Sequence, residues 1–273
     1  MTPDSHRSPV RRSGLLVLVL AAVLCLDLCT GGGGFSAASG AVLWKLRVPR
    51  VLTALIAGAS LALAGAQMQG IFRNPLADPH IMGVSGGAGL GAALAALAVG
   101  TASGWAGGLP LALSAFAGAL LTAGLIVAVS SRVRATTTLL IFGVLLGFIF
   151  SAVSSILQYS AREESLKLFY SWMAGSFSGT RYGEVAGMAG ALLVGAVLAL
   201  RDGKGLDIIL FGDDFAQLSG ASVRAVRIRS MLGASLIAAS VTAFCGPVGF
   251  VGIVAPHLAR RISGTSVHRK VLP

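Results

Sequence analysis

The sequence predicts an all-α, polytopic membrane protein. Hydrophobic residues make up 55% of its 273 residues and charged residues only 11%, against roughly 25% in a soluble domain. The apolar runs are continuous in Leu, Ala, Val and Gly, whereas the strands of a membrane β-barrel alternate apolar and polar residues. At about 20 residues for each transmembrane helix, these runs predict eight spans in a single membrane domain. The predicted spans are Gly14–Thr30, Val51–Phe72, Ile81–Val99, Leu109–Ser130, Leu139–Tyr159, Val185–Leu200, Ser230–Gly246 and the shorter Phe250–Ile262.

The first span follows three arginines, Arg7, Arg11 and Arg12, and Asp27 interrupts it near its end. This pattern favours a transmembrane helix that enters from the cytoplasm. A secretory signal peptide is the alternative, although no small-residue cleavage site is convincing. In a transmembrane helix Asp27 lies near the outer end, where its carboxylate can reach the interface.

Membrane orientation explains the net charge of +11 better than nucleic-acid binding does. With a cytoplasmic N-terminus and alternating spans, fifteen of the 21 Lys and Arg residues fall on the cytoplasmic side, as the positive-inside rule predicts. The protein is therefore expected to be a multi-pass protein of the cytoplasmic membrane. The six basic residues assigned to the outside are Lys45, Arg47, Arg50, Arg162, Lys167 and Arg181.

No catalytic, metal-binding or cofactor-binding motif is found. Cys25, Cys29 and Cys245 fall in apolar spans without a C-x-x-C pair, and we interpret them as packing residues. The segment DGKG at Asp202–Gly205 lacks the spacing and the hydroxyl of a nucleotide-binding P-loop. Nucleophile elbows, zinc motifs and intramembrane carboxylate pairs are also missing from the sequence. The pattern predicts a passive path through the membrane that another protein must energise.

A polar, glycine-rich stretch, GIFRNPLADPHIMGVSGGAGLGA at Gly70–Ala92, separates two apolar runs. Its Asn-Pro and Asp-Pro pairs favour turns, so the preceding helix should end near Phe72 and the chain should reverse at the inner surface. The glycines after Met82 permit either tight helix packing or a broken helix that lines a transport path. An ordinary tight loop is the alternative.

A second polar stretch, on the outer side, contains SLKLFYSWMAGSF at Ser165–Phe177. Its mixed apolar and aromatic spacing suits a short interfacial helix with Phe169, Tyr170 and Trp172 at headgroup depth. A plain loop is the alternative.

Three separated motifs resemble one family. They are RVPRVLTALIAGASLALAGAQMQGIFRNPLADPHIMGVSGGAGLGA at Arg47–Ala92, FGDDFAQLSGASVRAVRIRS at Phe211–Ser230, and GPVGFVGIVAPHLARR at Gly246–Arg261, with HRKVLP beyond. Together they are similar to the FecCD family, the BtuC-like permeases of bacterial ABC importers for iron-siderophores, haem and cobalamin. The resemblance implies ten-helix subunits that pair as a homodimer or with a paralogous permease, two cytoplasmic ATPase subunits, which bind the ATP, and an extracytoplasmic substrate-binding protein.

The resemblance also implies roles for particular residues. Asn74 and Leu76, together with Thr136 and Thr137, would form a cytoplasmic gate, because small and polar side chains can open without leaving a charge unpaired. Binding-protein glutamates would dock on Arg47 and Arg50, whose planar guanidinium groups can hold a carboxylate through two hydrogen bonds.

A cytoplasmic helix-turn-helix would couple the permease to its ATPase. Two aspartates stand where its first helix should begin, which complements the positive end of the helix dipole, and a glycine would allow the turn into a second short helix. Ser219 stands where the family usually has an apolar residue, which puts the contacts of individual coupling residues in doubt. A solvated loop is the alternative. The coupling residues are Asp213, Asp214, Phe215, Ala216, Leu218, Ser219, Gly220 and Ala221.

The predicted function is that of an importer permease for a ferric siderophore or a similar metal chelate. A cobalamin or haem importer of the same family is the alternative, since the sequence does not choose between these substrates. An ion-coupled secondary transporter would need intramembrane carboxylates, and a membrane-embedded enzyme would need a catalytic constellation. The family pattern continues into two more helices after HRKVLP, so about eight of the ten helices are expected here, in a truncated chain or a shortened subunit.

Overall fold

A computed structural model describes residues 9–31, 34–35, 40–99, 109–133, 135–265 and 267. The described chain is almost entirely helical. Two short strands, β1 (Thr30–Gly31) and β2 (Gly34–Phe35), pair in antiparallel fashion after the first helix. The helices are α1 (Pro9–Cys29), α2 (Gly40–Val42), a π-helical turn (Leu43–Arg47), α3 (Val48–Phe72), α4 (Val84–Val99), α5 (Leu109–Ser130), α6 (Thr136–Tyr159), α7 (Glu163–Met173), α8 (Tyr182–Ile209), α9 (Asp213–Leu218), α10 (Val223–Cys245) and α11 (Val251–Ser263).

Every predicted span overlaps a helix, but some helix ends differ from the predicted ends. The helix α8 continues past Leu200 to Ile209, and α10 begins at Val223 rather than Ser230. Asp202 in the extension of α8 pairs with Arg229 in the extension of α10, so these polar residues do not interrupt the two helices. Within the described residues, five helical segments are long and apolar enough to cross a membrane: Gly40–Phe72, Leu109–Ser130, Thr136–Tyr159, Tyr182–Ile209 and Val223–Cys245.

Two helices form the centre of the bundle. α3 and α10 pack against each other, and α10 also contacts α4, α5 and α8. The apolar 18-residue stretches of the segments that contain α3 and α10 are 61% and 72% buried, whereas the corresponding stretch of α6 is only 17% buried. The helix α1 lies outside this centre, and its leucine and valine side chains are largely exposed. Cys245 is buried in α10 as predicted, but Cys25 and Cys29 are exposed on α1, so the packing interpretation is wrong for these two.

The segment after α6, which was predicted to lie on the outer side, forms a helix rather than a loop. Phe169 of this helix, α7, is buried and belongs to an apolar cluster with alanines of α4 and α5. Trp172 is half-buried, and its Nε1 donates a hydrogen bond to the carbonyl of Ala243 at 3.0 Å. Of the three aromatic residues expected at headgroup depth, only Tyr170 is exposed. The helix is thus anchored to the bundle through two of its aromatic side chains.

Glycines bring helix backbones into direct contact. A Cβ on Gly91 of α4 would lie 2.0 Å from the carbonyl oxygen of Ser114, and one on Gly118 of α5 would lie 2.1 Å from that of Gly87. The same close approach joins α3 to α11, where a Cβ on Gly65 would lie 1.9 Å from the carbonyl oxygen of Gly252. Small residues allow such contacts where lipid removes the hydrophobic drive for helix association. The glycines after Met82 therefore serve tight packing, and α4 is an unbroken helix.

We expect Gly118→Ala to destabilise the protein, because the new methyl group would overlap backbone atoms that no side-chain rotation can move. Overpacking of this kind costs about 1–3 kcal/mol. Gly124→Ala on the same helix is the matched control, because nothing lies within 4 Å of its Cβ position. Thermal unfolding in detergent should show a lower Tm for Gly118→Ala and an unchanged or higher Tm for Gly124→Ala. Equal Tm values for the two variants would contradict the packing described here.

Candidate translocation gate and coupling surface

The predicted turn after Phe72 is present. Arg73 ends α3 in the left-handed conformation, with φ of 49°, and begins a loop that runs over residues 73–83, here called the α3–α4 loop. The side-chain oxygen of Asn74 accepts a hydrogen bond from the backbone N–H of Leu76 at 3.0 Å, and the carbonyl of Asn74 accepts one from Ala77 at 3.0 Å. Asn74 thus organises the turn, and Leu76 projects from it with 61% of its surface exposed.

Beyond this turn, the loop re-enters the bundle. Ala77, Asp78 and Pro79 are buried. Asp78 Oδ1 accepts the backbone N–H of His80 at 2.7 Å, whereas Asp78 Oδ2 is buried and has no hydrogen-bond partner in the part of the chain that the structure describes. A Cβ added to Gly252 would lie 2.5 Å from this oxygen, and Gly252 itself packs against the middle of α3. Irregular backbone therefore reaches into the interior of the helix bundle, surrounded by protein, which is where such backbone is tolerated.

His80 is the titratable neighbour of this carboxylate. Its Nδ1 lies within hydrogen-bond distance of the hydroxyl of Ser85. Burial lowers the pKa of His80, and the negative charge of Asp78 opposes that effect.

The second predicted part of the gate lies at the start of α6. Ala135 is extended, and the helix begins at Thr136. Thr136 is half-buried and Thr137 is exposed. Leu139 is buried in the same apolar cluster as Phe72 and Ala77, so the structure places both parts at one end of the bundle. The gate function of Asn74, Leu76, Thr136 and Thr137 stays a prediction.

The coupling segment, defined here as residues 211–222, contains the short helix α9 and lies at that same end of the bundle. Asp213 and Asp214 form the first turn of α9, as predicted. Gly220 has φ of 81°, and the N–H of Ala221 bonds to the carbonyl of Ala216 at 2.9 Å, which is the glycine-dependent way to end a helix. The prediction of a second short helix is wrong, because the next helix is α10, which runs unbroken from Val223 to Cys245.

The two faces of α9 differ in character. Ala216 is fully buried in the cluster that contains Phe72, Ala77 and Leu139. The opposite face exposes Phe215 and Leu218, the latter to 88%, and Phe211 lies beside Phe215 with ring centroids 5.8 Å apart. We call Phe211, Phe215 and Leu218 the aromatic patch. Ser219 donates its hydroxyl to the carbonyl of Phe215 at 2.9 Å, so it ends the helix without adding to this patch.

Ion pairs connect the coupling segment to the bundle. Asp213 Oδ2 accepts a hydrogen bond from Arg227 of α10 at 2.9 Å, and Asp213 Oδ1 lies 3.6 Å from Arg73. A second ion pair joins α8 to α10. Asp202 of α8 is 3% exposed and accepts bidentate hydrogen bonds from Arg229 of α10, at 2.6 and 2.9 Å. These pairs were missed because each joins two residues that are far apart in sequence.

The predicted docking arginines are held by α1. Arg47 is 6% exposed and donates to the carbonyl of Leu28 at 2.7 Å. Arg50 contacts both oxygens of Asp27, at 2.6 and 3.3 Å, and donates to the Asp27 carbonyl at 2.8 Å. Two guanidinium groups thus cap the negative end of the α1 dipole. The docking role of Arg47 and Arg50 stays a prediction.

The described residues contain no group of three or more His, Cys, Asp or Glu side chains that could hold a metal ion. Two cavities open near the coupling end. One, of about 400 Å³, lies between α5, α9 and α10 and is lined by both Asp213 and Arg227. The other, of about 370 Å³, lies between the ends of α3, α8 and α11 and is lined by Arg73, Asn74 and Arg260. Charged side chains border both cavities, which fits a surface in contact with water rather than with lipid tails.

Comparison with known proteins agrees with this architecture. The model of the FecCD transport family matches residues 15–273. The chain belongs to the FecCD transport family. It is 36% identical over 268 residues to the vitamin B12 import system permease protein BtuC of Citrobacter koseri, covering 96% of this chain and 79% of that protein. It is 32% identical over 279 residues to the cobalamin import system permease protein BtuC of Halobacterium salinarum, covering 100% of this chain and 72% of that protein.

A solved structure shares the fold as well. It is described as an inward-facing conformation of a metal-chelate type ABC transporter, and the similarity has a TM-score of 0.84 at 31% identity, covering 97% of this chain and 85% of the other. The predicted helical architecture is therefore confirmed. This FecCD-family protein is a multi-pass membrane permease subunit of an ABC importer.

We expect Asp78→Ala to destabilise the permease by about 1–3 kcal/mol, because it removes the acceptor for the part-buried N–H of His80. Asp78→Asn keeps that acceptor and removes a buried negative charge whose second oxygen has no hydrogen-bond partner among the described residues, so its Tm should equal or exceed that of the parent. Thermal unfolding of the two variants in the same detergent provides the comparison. Equal losses of stability would indicate that the charge itself holds the loop in place.

Proposed function

We propose that this permease imports a ferric siderophore or a similar metal chelate across the cytoplasmic membrane, with energy from separate ATPase subunits. The observation that carries the proposal is the coupling segment, whose α9 exposes the aromatic patch on one face and buries Ala216 on the other. Ala216 shares its cluster with Ala77 and Leu139, which lie beside the predicted gate residues. A partner that moves α9 would therefore act on packing that the gate shares.

The proposed assembly contains two copies of the chain, two cytoplasmic ATPase subunits that bind ATP, and an extracytoplasmic substrate-binding protein. The exposed face of α6 supports pairing with a second copy of the chain. This helix carries the predicted gate threonines and is the least buried of the five long apolar segments among the described residues, so a second copy could cover it. The clustering of Arg73, Arg227 and Arg229 with the coupling segment supports a cytoplasmic position for that end. The N-terminus is then cytoplasmic as well.

A metal chelate fits the similarity to the metal-chelate type transporter. The alternative substrate is cobalamin, which the names of several relatives favour, or haem. An ion-coupled secondary transporter is the alternative from another class, and the observation that favours it is the buried carboxylate of Asp78. Carboxylates inside membrane proteins commonly relay protons or ions.

Uptake into proteoliposomes distinguishes these functions. We expect transport of a labelled ferric siderophore, haem or cobalamin only when the chain is reconstituted with its ATPase, its binding protein and ATP, because the sequence carries no P-loop motif for nucleotide binding. A proton or sodium gradient should not replace ATP, and Asp78→Asn should retain ATP-driven uptake. Gradient-driven uptake by the chain alone, lost in Asp78→Asn, would instead establish secondary transport.

Charge reversal tests the proposed docking of the binding protein. Arg50→Glu should weaken association of the binding protein, most strongly at low salt, because screening hides charge interactions at high salt. Lys45→Glu makes the same change in charge at an exposed position nearby. Asp27→Asn should strengthen association, because it frees Arg50 from its carboxylate partner. The measurement is binding to the permease in nanodiscs over a range of salt, with Tm as a check on folding. Equal affinities for Arg50→Glu and Lys45→Glu would remove Arg50 from the docking site.

A further inference from the structure

Asp213 is shared between two arginines that belong to different parts of the bundle. On one side, Arg227 holds Asp213 Oδ2 at 2.9 Å, and the Arg227 side chain is only 7% exposed. Because Arg227 lies on the central helix α10, this contact fixes the first turn of α9 to the core. The carboxylate therefore has a defined position relative to α10 in this conformation.

On the other side, the contact with Arg73 is loose. Asp213 Oδ1 is buried and accepts no hydrogen bond from the described residues, and Arg73 Nη2 lies 3.6 Å from it. This distance lies within reach of an ion pair but beyond hydrogen-bond contact. A small displacement of α9 toward Arg73 would complete the bond, and a displacement away would break the pair.

The turn that begins at Arg73 and carries Asn74 and Leu76 is here called the gate turn. Arg73 is the left-handed residue that ends α3, and Asn74 follows it directly. The N–H of Arg73 bonds to the carbonyls of Gln69 and Gly70 at the end of α3, and the N–H of Asn74 bonds to that of Gln69 at 3.3 Å. The Arg73 side chain is therefore attached at the point where this turn leaves α3.

We propose that Arg73 and Asp213 form the polar link by which α9 positions the gate turn, so that the pair tightens or breaks as the ATPase moves the coupling segment. This inference rests on the proposed function. Arg73 is a positioning residue, since it acts through Asn74 and Leu76 rather than on the substrate. The apolar cluster of Phe72, Ala77 and Ala216 supplies the contact that keeps both segments together while the pair changes.

The test compares Arg73→Gln, Arg73→Lys and Arg261→Gln in the complete transporter in proteoliposomes. Arg261 is exposed at the end of α11, so its variant removes one charge at the same end of the bundle. We expect Arg73→Gln to assemble and hydrolyse ATP like the parent but to transport about fivefold less substrate for each ATP. Arg73→Lys should restore the ratio, and Arg261→Gln should not change it.

A second measurement follows the gate turn itself. In a background with Cys25→Ser and Cys29→Ser, Leu76→Cys reports exposure of the turn through its rate of reaction with a water-soluble maleimide. A non-hydrolysable ATP analogue should change this rate in the Leu76→Cys parent and leave it unchanged when Arg73→Gln is added. If the parent complex hydrolyses ATP and transports substrate, yet Arg73→Gln matches it in both measurements, the link is refuted. If the parent itself does not transport substrate with ATP, the proposed function fails instead.

Discussion

Close contact between helix backbones is the constraint on which the structure depends. In lipid, apolar side chains gain little by leaving the solvent, so helices associate where small residues allow dense packing and polar contacts. The contact between Gly65 and Gly252 shows how far this reaches. It presses the start of α11 against the middle of α3, and the re-entrant part of the α3–α4 loop packs against the same place through Asp78. A bulkier residue at either glycine would separate α3 from α11 and remove the surface that holds the loop inside the bundle.

At the coupling end, ion pairs between charged residues join the helices instead. The pair Asp202–Arg229 lets α8 and α10 continue as helices through sequence that is too polar for lipid, and the pair Asp213–Arg227 holds α9 against α10. Buried pairs of this kind repay little more than the cost of desolvation, but removing one partner leaves an uncompensated charge. Their contribution is therefore mainly to specify which helices meet and in what register. The bundle thus changes from glycine packing in its interior to ion pairing where it meets water.

The sequence predicted the parts of this structure that local chemistry controls. Continuous apolar runs located α3, α5 and α6, the Asn-Pro pair located the turn after Phe72, and two aspartates located the start of α9. Errors arose where a distant partner changes the meaning of a residue. The polar stretch around Asp202 looked like a loop because its partner Arg229 lies on another helix, and Phe169 looked interfacial because α4 and α5 supply its apolar surroundings only in the fold. The burial of Asp78 and the capping of α1 by Arg47 follow from tertiary contacts in the same way.

The aromatic patch has a consequence for the life of the chain in the cell. Phe211, Phe215 and Leu218 stand exposed on a segment that is too polar around them to be shielded by lipid. Exposed apolar groups of this kind are recognised by chaperones and proteases and promote aggregation. A newly inserted subunit without a partner over this patch should therefore be short-lived. In the proposed assembly the ATPase covers this patch, so the cellular amount of the permease would follow the supply of that subunit.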